Sequence, residues 1–446
     1  MSIEHLKVNN FRSISKLDLH IEKDNRVVCF VGENGSAKTS ILNLISEAIV
    51  SSTQLDFPNY SHTKGERYRV LSSNEIKKGE EFLSFDLKYA KLKGKKHAFK
   101  KLVAHRKDLP STAYADYIDG IHLQGSQNYN ETSTLSNSSV EDDFLFDSVF
   151  LVRPGHRFEK DGMLIEGDEA WSARFSVKNG YNSQIPHPFS VVHSGDDIQT
   201  IILDMFFDAQ VGYQESIAGF SLITKILEMV TGKNFGNIQI SQSPFRQVVS
   251  SEVGALKSFS QGELDLLVTI GTILKQQVFF YSRYTEEERE KLGVTHVSRV
   301  PGMVLIDEVD LHLHPKAQEK YLRALTAIFP NIQFIVTTHS PFVIRGLPEN
   351  SQVINLPSGR VFNENFEAMD IDSITEVIFG YEGGFSEAVN SKFSEFKAEL
   401  ISEKPDLELL RKLYGELSTS HSAKNELELY LASYAHEELI NLVKGS

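Results

Sequence analysis

"RVVCFVGENGSAKTSILNLISEAI" (residues 26–49) reads as three pieces in succession. Val27–Val31 is an apolar run of the length of a strand buried on both faces. A glycine-bearing turn follows, and Ile41, Leu42, Leu44 and Ile45 then recur at helical spacing. Strand, glycine turn and helix, in that order, form the setting of a phosphate-gripping loop with the pattern G-x-x-x-x-G-K-[ST]. Gly32, Lys38 and Thr39 match it, and Ala37 stands where the second glycine belongs. The backbone amides of Gly32, Asn34, Gly35, Ser36, Ala37, Lys38 and Thr39 would wrap a phosphate at a helix N-terminus, where the peptide dipoles favour an anion. Lys38 would reach the β- and γ-phosphates, and the Thr39 hydroxyl would ligate Mg²⁺. Ala37 adds one methyl and is expected to sit in a helical first turn at little cost.

The surrounding chain sets the bounds. At 446 residues it is long enough for two or three domains, and its 41% hydrophobic and 24% charged content are ordinary for a globular protein. No apolar run approaches the ~20 residues of a membrane helix. The charged, alternating N-terminus does not resemble a signal peptide, and the single cysteine, Cys29, excludes an intramolecular disulfide. A cytoplasmic location is the expectation, with no membrane partner. A net charge of −14 argues against general coating of nucleic acid. One stretch runs the other way: Lys88 to Lys107 holds nine Lys or Arg and no acid. It reads either as a DNA-contacting hairpin or as an edge hairpin using lysines to block aggregation.

Three later segments carry chemistry. "MVLIDEVD" is an apolar strand tipped by two acids; Asp307 would support the metal and Glu308 would polarise an attacking water, although a solvated strand end is the plain alternative. "IQFIVTTHSP" is an apolar strand ending at His339, which could contact a γ-phosphate or be structural. In "FSQGELDLL", Ser260 and Gly262 begin a helix whose N-terminus could face a second anion, or serve only as a cap with Glu263.

The order of these motifs resembles an ABC-class ATPase head, and within that class the RecF, SMC and OLD group. "FSQGE" stands at the signature position, "DEVDLHLHPKAQ" resembles the acid and HLHP stretch of the OLD and RecF-like branch, and "TTHSP" resembles its histidine loop. "LKVNNFRSI" resembles the first strand, which places Arg12 near the nucleotide. The resemblance covers residues 1–50 and 256–360. It implies an α/β P-loop NTPase of ABC-head type: a mixed sheet flanked by helices, an antiparallel β subdomain, a helical insert and a C-terminal helical region. It further implies ATP and Mg²⁺ held by the loop from Gly32 to Ser40, with Lys38 on the phosphates, Thr39 and Asp307 on the metal, Glu308 as base and His339 on the γ-phosphate. Ser260, Gly262 and Glu263 would complete the site on a second protomer, with Asp310 at that interface. The glutamine-loop ligand has several candidates: Gln124, Gln127, His156 and Arg157.

The chain divides in this reading into a first lobe (1–190), a helical insert (191–255), a second lobe (256–365) and a C-terminal helical region (366–446) for docking or oligomerisation. Residues 66–108 read as antiparallel strands with a turn at Gly94, and 124–139 as a polar loop. The last eighty residues show no apolar strand leading into a glutamate and acid pair, so a TOPRIM nuclease of the OLD kind is not expected. A free-standing head resembles the ATPase subunits of the Septu, PARIS and retron-linked anti-phage systems. That resemblance implies an ATP-dependent homodimer or larger ring controlling a separate effector nuclease of HNH or TOPRIM type. The alternative is a RecF-like, ATP-gated DNA-binding protein of DNA repair.

Overall fold

The computed structural model describes residues 2–56, 71–90, 96–105, 109–118, 131–134, 148–155, 190–191, 198–210, 212, 214–241, 247–381, 385–402, 404–435 and 437–444. The chain falls into two units, Met1–Ile374 and Thr375–Ser446. Along the first run β1 (Ser2–Phe11), β2 (Ile14–His20), β3 (Val27–Gly32), α1 (Lys38–Asp56), β4 (Phe82–Ala90), β5 (Lys96–Ala104), β6 (Glu131–Thr134), β7 (Val149–Arg153), β8 (Ser190–Val191), α2 (Ile198–Gln210), α3 (Gln214–Thr231), β9 (Ile238–Ser241), β10 (Gln247–Ser250), β11 (Gly254–Ala255), α4 (Gln261–Arg283), α5 (Glu286–Leu292), β12 (Gly302–Ile306), α6 (Pro315–Ile328), β13 (Ile332–Thr337), α7 (Pro341–Arg345), β14 (Ser351–Leu356) and β15 (Arg360–Phe362). Helix α8 (Ile371–Val377) spans the boundary, and the second unit continues with α9 (Glu387–Ile401), α10 (Leu407–Leu417), α11 (His421–Tyr434) and α12 (Glu437–Lys444).

Every residue of β3 is buried, as its unbroken apolar run requires. It lies in a seven-stranded sheet of order β15-β14-β3-β13-β12-β7-β8, parallel except for β15. A second sheet, antiparallel throughout, has the order β2-β1-β4-β5-β6. One core joins the two through α1. Ile41, Leu44, Ile45 and Ala48 pack with Leu6 and Val8 of β1, Leu83 and Phe85 of β4, and Val28, Phe30, Met303 and Leu305 of the larger sheet. The alternate residues Val27, Cys29, Val31, Val304 and Ile306 are equally buried but lie outside that cluster, as the two-residue period of a strand dictates. Helix α4 packs on β7, and α2 and α3 pack against α4.

The fold is α/β of the P-loop, ABC-head kind: the strand before the glycine turn is separated from the acid-tipped strand by the histidine-tipped one, and an antiparallel sheet lies beyond α1. Among the described residues, no helix is long and apolar enough to cross a membrane. In the second unit, Phe393, Phe396, Leu410, Leu413, Leu427 and Leu431 from three helices meet in a core of their own.

One reading needs correcting. Residues 124–139 are not loop throughout, because Glu131–Thr134 forms β6 and pairs with β5. Polar side chains do not prevent an edge strand from forming, since backbone groups make the ladder and Thr is a strand former. The turn at Gly94, and Gln124 and Gln127, lie outside the described residues.

Candidate nucleotide site

The turn after β3 is shaped by two glycines. Gly32 has φ +141°, and a Cβ there would meet the Leu356 carbonyl oxygen at 2.2 Å. Gly35 has φ +82°. Ala37 departs from expectation: its φ is +74°, in the left-handed region, and not helical. The helix ladder starts at its carbonyl, which accepts from the Ile41 amide at 3.0 Å. The turn must pass through this left-handed step to aim its amides inward, so the methyl has a cost, about 1–2 kcal/mol for an L-residue. Ala37→Gly is accordingly expected to raise stability by about 0.5–1 kcal/mol, after the greater freedom of glycine in the unfolded chain is offset. A urea midpoint that fails to rise would count against this backbone.

Lys38 is buried, and its ammonium donates to the carbonyls of Gly32 (2.9 Å) and Glu33 (2.8 Å) and to Ser36 Oγ (3.4 Å). Burial lowers its pKa, opposed by the nearby carboxylates of Asp307, Glu308 and Asp310. The next residue, Thr39, is exposed and donates from Oγ1 to Asp307 Oδ1 at 3.1 Å. The same oxygen of Asp307 accepts from Thr337 Oγ1 at 2.6 Å. Thr337 in turn accepts the Glu308 amide at 2.8 Å, which holds Glu308 with φ +50°. Thus adjacent strands β13 and β12 fix the two acids against each other, and one hydroxyl performs the fixing. Asp310, next along the loop, accepts from the Thr338 hydroxyl. His339 follows, exposed as a residue; partial desolvation of its ring first, then the charge of Lys38, lowers its pKa against the pull of Asp310, Glu308 and Asp307, which favours the neutral ring.

Arg12 also has positive φ (+51°), donates its amide to the Glu75 carbonyl at 2.8 Å, and holds its guanidinium 3.6 Å from Glu75 Oε1. With Ser40 and Asn43 of α1 it lines a shallow depression. Its neighbour Ser13 donates to the Gly35 carbonyl at 3.1 Å, so the β1–β2 turn touches the glycine loop directly.

Ser260 caps α4. Its hydroxyl accepts the Glu263 amide at 3.3 Å, while Glu263 Oε2 accepts the Ser260 amide at 2.7 Å. The other oxygen of Glu263 meets Lys233 at 2.5 Å, so this carboxylate is engaged within its own chain. A Cβ on Gly262 would lie 2.5 Å from the His312 carbonyl oxygen. Only glycine lets this helix start lie so close to the turn that follows the acid pair.

Three features were missed in the sequence. Thr337 is one. Gly155 is another: a Cβ there would come within 2.9 Å of Asp307 Oδ2 and 3.1 Å of the Glu308 carboxyl carbon. The segment after β7 therefore begins at the acids, although His156 and Arg157 lie outside the described residues. The third is an ion pair of Arg153 with Asp265, both essentially unexposed, joining β7 to α4. Only Gly155 left a trace in the sequence, a glycine two residues past an apolar strand.

In the lysine-rich hairpin, Lys88 is exposed and two other lysines are engaged within the chain. Lys101 is buried and pairs with Glu47 of α1 at 2.6 Å, and Lys100 lies 3.9 Å from Asp86. Enclosed beside its carboxylate, Lys101 is not placed to meet a phosphate backbone. Lys91, Lys93, Lys95, Arg106 and Lys107 lie outside the described residues.

An "AAA ATPase domain" family model matches residues 1–140, and an "AAA domain" model tied to type IV TA systems matches 291–345. Septu protein PtuA of Bacillus thuringiensis is 22% identical over 97% of this chain and 98% of its own length. The Retron Vc95 probable ATPase of Vibrio cholerae is 27% identical over 54% of this chain, which spans 42% of that relative. Among solved structures, the SMC head domain from Thermotoga maritima is 15% identical, with 80% of this chain and 94% of that one covered at a TM-score of 0.38.

Proposed function

We propose that the chain binds and hydrolyses ATP with Mg²⁺ as the ATPase subunit of a bacterial anti-phage defence complex. The observation that carries the reading is the Thr39–Asp307–Thr337 cluster beside Lys38. The 3.1 Å between Thr39 Oγ1 and Asp307 Oδ1 matches the edge of an Mg²⁺ octahedron, about 3 Å for ligands at 2.0–2.1 Å. The donor set, one hydroxyl and one carboxylate with room for water, suits that hard cation. Bound there, Mg²⁺ supplies neutralisation of the charge that develops on the transferred phosphoryl group.

The chain's own residues do the rest. Lys38 exchanges the loop carbonyls for β- and γ-phosphate oxygens, and the amides from Gly32 to Ser40 orient the triphosphate. Glu308, partly exposed and held by Thr337, takes the proton of the attacking water. Neutral His339 donates a hydrogen bond to the γ-phosphate. Arg12 lies beside the nucleotide. Ser260 and the first amides of α4 are offered to the nucleotide of a second copy, with Glu263 holding that helix start in shape and Asp310 at the joint. Residues 1–190 and 256–365 act as the two lobes of the head, and 191–255 as an insert that is not helical throughout, since β9, β10 and β11 add a small antiparallel sheet to α2 and α3. The region 366–446 docks an effector nuclease of HNH or TOPRIM type or a further copy. Similarity to Septu PtuA over nearly the whole chain supports the defence role.

Glu308→Gln tests the reading. It is expected to keep ATP–Mg²⁺ affinity, to slow phosphate release at least about 100-fold, and to accumulate a dimer or larger species on ATP addition in native mass measurements. Loss of nucleotide binding, or turnover at the wild-type rate, would remove Glu308 as the base.

A further inference from the structure

The outer face of the antiparallel sheet carries a cluster that the ATP site does not use. His5 of β1 faces His20 of β2 in the strand register, and Asp18 stands two residues before His20 on the same face. His5 Nε2 lies 2.6 Å from Asp18 Oδ1, His20 Nε2 lies 3.9 Å from the same oxygen, and the two rings stack with centroids 4.4 Å apart. One ligand atom from each residue falls within 4.8 Å of the others.

We propose that His5, Asp18 and His20 form a site for a borderline divalent cation of the zinc class. Two imidazoles and one carboxylate are a donor set for Zn²⁺ or Co²⁺ rather than for Mg²⁺, which prefers oxygen alone. Tetrahedral ligands about 2.0–2.1 Å from zinc stand about 3.3–3.4 Å apart. The His5–Asp18 contact therefore opens by under an ångström, and the His20–Asp18 contact closes by about half an ångström. His20 is 84% exposed, so its ring is free to turn and water completes the shell. Lys7 of β1, opposite Asp18 of β2 and Asp86 of β4, is the adjacent cation and sets a limit on affinity. Because β2 is the edge of its sheet, the ion would clip that edge to β1.

The test uses the full chain, nucleotide-free and stripped by chelator. Titration with zinc by calorimetry and with cobalt by visible absorption is expected to give one saturable site with a tetrahedral cobalt band. His20→Ala and Asp18→Asn should each weaken it at least about tenfold. Asp307→Asn, which alters the other site, should leave it unchanged. His20 and Asp18 are exposed enough for both variants to fold. No saturable binding below about 1 mM, or equal binding by the His20 and Asp18 variants, would overturn the site. So would loss of binding in Asp307→Asn alone.

Discussion

Lys38→Ala is expected to lose ATP affinity by about 100-fold or more. Hydrogen bonds to charged groups are worth about 1.5–3 kcal/mol each, and Lys38 offers at least two to the phosphates. The ammonium is also the strut of the loop, held on Gly32, Glu33 and Ser36. Its removal therefore subtracts charge and loosens the turn that aims the amides. Titration of a fluorescent ATP analogue against wild type and variant measures the loss. An affinity within threefold of wild type would mean that the nucleotide binds elsewhere.

Arg153→Ala is expected to destabilise the first unit by about 3–5 kcal/mol, because it leaves Asp265 charged in a site with 1% exposure. A double replacement, Arg153→Met with Asp265→Leu, should recover most of that loss, since apolar groups of similar volume remove both charges together. Urea unfolding of the three proteins decides it. If Arg153→Ala unfolds within 1 kcal/mol of wild type, about the worth of an exposed pair, the ion pair is not buried. The pair has a functional bearing as well. Arg153 lies two residues before Gly155 at the acids, and Asp265 two residues after Glu263 at the capped helix start. Variants that fold but shift this contact should alter turnover without altering nucleotide affinity.

What the sequence made legible were contiguous patterns. The buried strand, glycine turn and helix around Lys38 lie in a single run, as do the acid pair after β12 and the histidine after β13. Each is short-range, so residue type and spacing suffice. The handedness of Ala37 was not legible, because its carbonyl already opens the helix ladder while its own φ of +74° still belongs to the turn, and residue type does not mark that step. Lys101 read as a surface charge until Glu47 met it across α1. Thr337 resembled any strand threonine until β13 lay beside β12. The Arg153–Asp265 pair joins residues 112 apart, with no local pattern at either end.

Cys29 offers a practical consequence. It is the sole cysteine, fully enclosed in β3, and burial pushes its thiol well above the ordinary range. Thiolate, not thiol, is the reacting species, so Cys29 will ignore maleimide dyes while the fold is intact. A single cysteine introduced at any exposed position thus becomes a clean attachment point for a fluorophore, and energy transfer between mixed donor and acceptor copies can test whether copies associate, with no need to remove the native thiol.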